Sequence, residues 1–341
     1  MKTQICLVPE LSGLGGMVSF QAKLIHGLTQ RGVQHTFNLA DPENNAILVI
    51  GGTRHLWRLW QAKRLGIPIF QRLNGMNWLH QVEKTPIKSF LRAEGNNRLL
   101  AFIRRRLADH IIYQSHFSQD WWERVFAKKA TGARVVYNGV DLDAYHPDGV
   151  EKPPQDHDRL LLVEGHLSGA NARGLITAVR LAVSVAKIHS RTVELMVVGD
   201  VSDAVKAQAH TLAPDLWITW RGVVPRSDIP AIDRSAHVLF SADLNAACPN
   251  SVIEAMACGL PILAYDTGAL GELVQNGAGV VVPYGSDHWQ LEEPVIEPLA
   301  AVCIQILQNN PYFRQRARLR AEAAFSLDKM VDGYIEAMGI G

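Results

Sequence analysis

Short apolar runs rich in β-branched residues alternate with helical patterns along almost the whole chain, and the series occurs twice. In the first half the runs fall at 5–8, 35–39, 47–51, 67–71, 110–114 and 134–137. In the second half they fall at 160–163, 193–198, 217–220, 237–240, 261–265 and 279–282. Runs without polar alternation belong to strands buried on both faces, the habit of parallel sheets covered by helices. The intervening segments supply those helices: across 17–31, Val18, Leu24, Ile25 and Leu28 fall on one face. A charged, Pro-rich stretch at 145–158 separates the two series and reads as a linker. Two consecutive βαβ arrays predict an α/β protein with two doubly wound parallel sheets facing each other across a cleft. The expected domains are 1–145 and 146–325, followed by a helical tail.

Composition narrows the class. A chain of 341 residues is long for one core and suits two domains of roughly 150 residues each. Hydrophobic content of 48% with 20% charged residues excludes long disorder, and a net charge of +1 gives no footprint for nucleic acid. Cys6, Cys248, Cys258 and Cys303 form no CxxC pair, which argues for reduced thiols and against structural zinc. The opening residues lack the apolar core of a signal peptide, and no run approaches the roughly 18 residues of a membrane span. A cytoplasmic protein is expected.

The segment 248–265 concentrates the chemistry. Polar Asn250 and Ser251 open a short apolar helix, Gly259 closes it and a buried strand follows at once. A helix start beside the end of a parallel strand is where open α/β sheets bind nucleotides and phosphates. Glu254 is the one acid in that helix. Ser251-x-x-Glu254 also matches a capping box, in which the acid would only satisfy backbone donors. Near the N-terminus, Gly13, Gly15 and Gly16 follow the first strand, where backbone N–H groups can approach an anion or merely make a tight turn. The dinucleotide fingerprint fails, because Val18 stands where its third glycine belongs. No acid closes the second strand, so a nicotinamide cofactor is not expected. Asp141-x-Asp143 has the spacing of a metal-holding DxD, but it lies at the domain junction and no metal is expected there. Residues 81–134 hold eleven Lys/Arg against five acids, a local charge of +6, with Trp121 and Trp122 among them. Such a segment either docks on an anionic membrane surface or is a solvated basic face with buried tryptophans.

Taken together, Gly15-Gly16, the 137–141 and 146–147 motifs at the junction, Val198-Gly199-Asp200, Arg221-Gly222-Val223 and the Glu254 segment resemble retaining glycosyltransferases of the family-4 type. The resemblance runs over nearly the whole chain. It implies the GT-B fold, two Rossmann-like domains whose C-terminal helix, about 326–341, packs back on the first. It further implies a nucleoside-diphosphate sugar on the second domain and a sugar or lipid-linked acceptor on the first. By the same resemblance, Glu254 would hold the donor ribose, and Asn250 and Ser251 would offer backbone N–H groups to the diphosphate or sugar. Gly15 and Gly16 would approach the diphosphate. His166 and Arg173 would stand where the family carries its basic pair. Asn74 and His80, in a loop after a strand end, are the acceptor-side catalytic candidates.

Two departures bear on activity. The family's acid eight positions before Glu254 is here Ala246, with Asp243 and Asn245 close by. His166 replaces the family's arginine, and a neutral imidazole stabilises a departing diphosphate less than a guanidinium. The resemblance implies a metal-independent, cofactor-free hexosyltransferase that retains configuration, cytoplasmic or peripheral at the inner membrane face. A non-catalytic GT-B protein that binds nucleotide or glycan, and a nucleotide-sugar epimerase, are the alternatives.

Overall fold

The computed structural model describes residues 3–13, 15–128, 132–167 and 172–340. Leu14 of the glycine-rich loop, Lys129 of the basic segment and 168–171 of the loop before Arg173 lie outside them. The chain divides into two compact units, Met1–Gly139 with Leu327–Gly341, and Val140–Ser326.

The first unit contains β1 (Gln4–Val8), α1 (Gly16–Gln30), β2 (Gln34–Thr36), β3 (Ala46–Ile50), α2 (Leu56–Arg64) and β4 (Ile69–Leu73). It continues with α3 (Leu79–Val82), α4 (Ile87–Phe102), β5 (His110–Tyr113), α5 (His116–Phe126) and β6 (Ala133–Val135). Its strands form one sheet in the order β2-β1-β3-β4-β5-β6, parallel at every pairing. The second unit contains β7 (Asp158–His166), α6 (Ala172–Ile188), β8 (Val193–Asp200), α7 (Asp203–Leu212), β9 (Trp217–Gly222) and α8 (Ile229–Arg234). Then come β10 (Val238–Ser241), α9 (Asn250–Ala257), β11 (Ile262–Tyr265), α10 (Leu270–Leu273), β12 (Gly279–Val282), α11 (Ile296–Gln308) and α12 (Asn310–Ala324). The sheet order here is β12-β11-β10-β7-β8-β9, again all parallel. The last helix, α13 (Leu327–Met338), belongs to the first unit. Two doubly wound parallel sheets are the architecture that the alternation of apolar runs predicts.

Each core follows from those runs. In the first unit Ile5, Leu7, Leu48 and Ile50 meet Phe20, Leu24 and Leu28 of α1, and α13 adds Met330, Val331, Tyr334 and Met338. Burying a side chain of this kind contributes about 1.5–3 kcal/mol. Gly27 sets how close α13 comes, since a Cβ there would lie 2.3 Å from Cγ2 of Val331. Arg31, at the end of α1, adds ion pairs to Asp328 and Asp332 at 2.9 and 2.8 Å. In the second unit the apolar stripe of α6 (Leu175, Val179, Ala182, Val185) packs with Leu160, Leu195 and Val197 of the sheet and Leu299 and Cys303 of α11.

The N-terminal edge of the second sheet is stapled by polar contacts. Glu194 accepts from Arg159 Nε at 2.6 Å and bonds His157 Nε2 at 2.8 Å. His237 Nδ1 accepts the Arg159 N–H at 2.9 Å, and burial lowers that imidazole to about 4.

Candidate functional site

In a parallel sheet all strands point one way, so the loops after their C-terminal ends share one edge. In the second unit these are the loops after β7, β10 and β11, and the helix α9 starts among them. Pro249, whose fixed φ suits the entry to a helix, stands at the N-cap of α9, and no side chain caps it. Asn250 and Ser251 are therefore its first two residues, at the end where helical N–H groups have no partner within the helix. Ser251 stands two places past the N-cap, too far in to cap, and Glu254, the fifth helical residue, lies beyond the box position. The capping-box alternative is not formed.

Glu254 is instead a buried carboxylate, 7% exposed, on an otherwise apolar helix. Its negative charge reaches three neighbours. Asp233 on α8 is raised well above the ordinary carboxylate range by full burial and then by Glu254; Tyr145 and Cys258 are raised too, first by burial. Asp233 Oδ2 and Tyr145 Oη are buried without a hydrogen-bond partner.

The loop after β10 is held tightly. Ala269 N–H donates to the Ala246 carbonyl at 2.8 Å, and a Cβ on Gly268 would lie 2.5 Å from Ala246 N. Gly174, in the first turn of α6, abuts the same loop: a Cβ there would lie 2.7 Å from that of Ala242. Arg173 is exposed on α6, with Nη1 3.5 Å from the Leu291 carbonyl. His166 ends β7 and is hydrogen-bonded through Nδ1 to Asp200 Oδ2 at 3.0 Å, both well exposed. Arg173, His166, Asn250, Ser251 and Glu254 all belong to the second unit.

The other candidates lie in the first unit. Gly15 is the N-cap of α1 with φ 130°, and Gly16 its first residue. At Gly15 a side chain would be strained even though it would meet open space. Asn74 follows β4, and its Oδ1 accepts from Arg72 Nη1 at 2.7 Å. Its carbonyl accepts from Trp122 Nε1 at 2.6 Å. His80 on α3 is buried and bonded through Nε2 to Glu94 Oε1 of α4 at 2.9 Å, with Phe90 edge-on to its ring. That bond and ring contact pin α3 to α4. At the start of the second unit, Asp141 Oδ1 accepts the N–H groups of Asp143 and Ala144, so the DxD tripeptide forms a local turn. Among the described residues no group of three or more His, Cys, Asp or Glu side chains could hold a metal ion.

Sequence reasoning missed Arg72. It is 1% exposed, lies 3.7 Å over the Phe20 ring and donates from Nη2 to Asn138 Oδ1 at 2.9 Å. Polar Gln71-Arg72 inside a fully buried parallel strand was the available signal. Glu164 was missed as well. Desolvation of this half-buried carboxyl, and then the nearby charge of Asp243, raise it above the ordinary range, and desolvation raises Asp243 in turn, although that side chain is exposed.

Two six-stranded parallel sheets of this order give the chain the GT-B fold. Residues 159–301, all within the second unit, match the family model described as glycosyl transferases group 1. A D-inositol 3-phosphate glycosyltransferase from Segniliparus rotundus is 24% identical over 250 residues, 68% of this chain and 54% of that protein. The chain thus spans about half the length of that curated relative. Among solved structures, sucrose-phosphate synthase from Thermosynechococcus elongatus aligns with a TM-score of 0.74 and 17% identity, covering 98% of both chains. Anabaena HepE, solved in complex with UDP and glucose, aligns with a TM-score of 0.70 and 16% identity over 99% of both. At these identities the structural likeness establishes the fold.

Proposed function

We propose that this chain is a retaining, metal-independent glycosyltransferase that moves a hexosyl group from a nucleoside diphosphate to an acceptor hydroxyl. The observation that carries the reading is Glu254, a buried carboxylate held without a capping role at the C-terminal edge of a parallel sheet. Two acceptor oxygens and no donor suit it to a ribose diol. The start of α9 would face the diphosphate, where unsatisfied N–H groups stabilise developing charge. Support also comes from the family-model match over residues 159–301 and from the UDP and glucose bound to HepE.

Calorimetry of the full chain with UDP, GDP, ADP and their glucose conjugates, followed by assay of released diphosphate, tests this proposal. Binding of one nucleotide class and acceptor-dependent release of its diphosphate is expected. A chain that binds none of them would lack the donor site. Ala246 favours a second reading, a nucleotide- or glycan-binding protein without transfer. Binding without any release would select it.

For the acceptor, a cavity of about 320 Å³ lies in the first unit at the end of β1. Val8, Phe37 and Leu39 give it an apolar wall, and Glu10, His55 and Arg58 bring polar groups. That mixture fits a sugar acceptor with an apolar portion.

Peripheral contact with an anionic membrane, on the cytoplasmic side, completes the proposal. Trp121 and Trp122 are buried and contribute nothing to it. The docking surface is α4, where Ile87 and Leu91 are 69% and 61% exposed one turn apart and Lys88 and Arg92 are exposed beside them. Each cation near an anionic leaflet contributes about 1 kcal/mol, so Lys88→Ala with Arg92→Ala should weaken vesicle binding by roughly thirtyfold. Co-sedimentation with phosphatidylglycerol vesicles at low salt measures it. Equal binding to neutral vesicles would refute an electrostatic dock. No helix among the described residues is long and apolar enough to cross a membrane.

A further inference from the structure

The end of β7 departs from its ladder. Its register with β8 shifts between Val163 and His166, so Glu164 and Gly165 bulge out of a central strand at the C-terminal edge. A bulge re-aims a side chain, and this one is built in from the neighbouring strand. Gly199 of β8 has φ 139°, and a Cβ on it would lie 1.8 Å from the Glu164 carbonyl oxygen. On its other side β7 pairs with β10, Leu160 opposite Val238 and Leu161 opposite Leu239. Counting along both strands brings Glu164 beside the start of the loop that carries Asp243. The two carboxyls are close enough for the charge of Asp243 to oppose ionisation of Glu164.

The same loop holds other costly features. Asn245 has φ 57°, a left-handed conformation, and is 4% exposed with both carboxamide atoms lacking a hydrogen-bond partner. Ser241 Oγ and Thr267 Oγ1, at the ends of β10 and just past β11, are also buried and unpartnered. Like charges side by side, a strained backbone and orphaned polar atoms each disfavour folding. Their coincidence at one sheet edge is the pattern of costly features that functional sites carry.

We propose that Glu164, Asp243 and Asn245 hold the hydroxyls of the transferred sugar and replace the carboxylate that Ala246 cannot supply. The proposal rests on the nucleotide-sugar reading above and names its sugar subsite. Two neighbouring carboxyls offer several acceptor oxygens, and a carboxamide offers both a donor and an acceptor. That set matches a neutral hexosyl group with vicinal hydroxyls.

The test compares the free nucleoside diphosphate with its glucose conjugate, using whichever of UDP, GDP and ADP the full chain binds. In Asp243→Asn, Glu164→Gln and Asn245→Gly, affinity for the free diphosphate should stay within about twofold. Affinity for the conjugate should fall about tenfold or more, the loss expected when a charged or buried hydrogen-bond partner goes. Glycine at 245 tolerates the left-handed backbone, so that variant removes the carboxamide without adding strain. Adding Ala246→Glu to Asp243→Asn should restore much of the conjugate affinity, which a structural role for Asp243 would not allow. Unchanged conjugate binding in all three variants, or equal loss of both ligands, overturns the subsite. A wild-type chain that binds no nucleotide at all overturns the donor reading itself, and the subsite with it.

Discussion

Glu254→Gln is expected to weaken nucleoside-diphosphate binding by about ten- to a hundredfold while the thermal midpoint stays nearly constant. A hydrogen bond to a charged partner contributes about 1.5–3 kcal/mol, and glutamine sets an N–H₂ donor against one of the two ribose hydroxyls. The fold has less to lose. Pro249 occupies the N-cap of α9 and no side chain caps the helix, so its start does not depend on the carboxylate. The Glu254 charge also opposes ionisation of Asp233 and Tyr145, so removing it relieves rather than creates a buried electrostatic cost. Calorimetry and thermal melts on the same preparation decide the matter. A variant that unfolds several degrees earlier yet binds nucleotide as the wild type would make Glu254 a structural acid.

The fold was legible because its signal is physical and repeated. Strands buried on both faces must be apolar throughout, and β3 and β11, buried at every residue, appear in the sequence as uninterrupted runs. What depended on contacts between distant segments was not legible. Ser251 looks like a cap until the cap is seen to lie two residues earlier, at Pro249. Glu164-Gly165 looks like the frayed end of a strand, because the bulge exists only relative to β8. Gln71 and Arg72 interrupt an apolar run for no local reason; Gln71 Nε2 donates to the Gly51 carbonyl at 2.8 Å, and Arg72 meets Asn74 and Asn138. Ile103–Leu107 is π-helical, a change of one residue in hydrogen-bond spacing that the Arg104-Arg105-Arg106 run does not announce. For the site, residue types such as Glu254 and Asn250 stood out in sequence, whereas the nearness of Glu164 to Asp243 needed the sheet order.

Gly199→Ala should be among the most damaging single-methyl changes in the second unit. Two penalties coincide there. The residue sits at φ 139°, far from any well open to an L-side chain, and the added Cβ would lie 1.8 Å from the Glu164 carbonyl oxygen. Both groups are backbone-fixed, so no rotamer change can separate them, and the β7 bulge would have to move. Strain of about 1–3 kcal/mol and overpacking of about 1–3 kcal/mol predict a combined loss of roughly 2–6 kcal/mol. At about 2–4 °C per kcal/mol for a unit of this size, the thermal midpoint should fall by roughly 5–20 °C. Gly222 provides the control, since it has φ 66° but a Cβ there meets nothing within 4 Å. Gly222→Ala should therefore cost only the left-handed penalty, about 1–2 kcal/mol. Equal shifts for the two variants would mean that conformation alone fixes Gly199. A larger shift at Gly199, with loss of the preference for the glucose conjugate over the free diphosphate in whatever protein stays folded, would tie the bulge to the sugar subsite. The glycine would then hold Glu164 in place as well as stabilise the sheet.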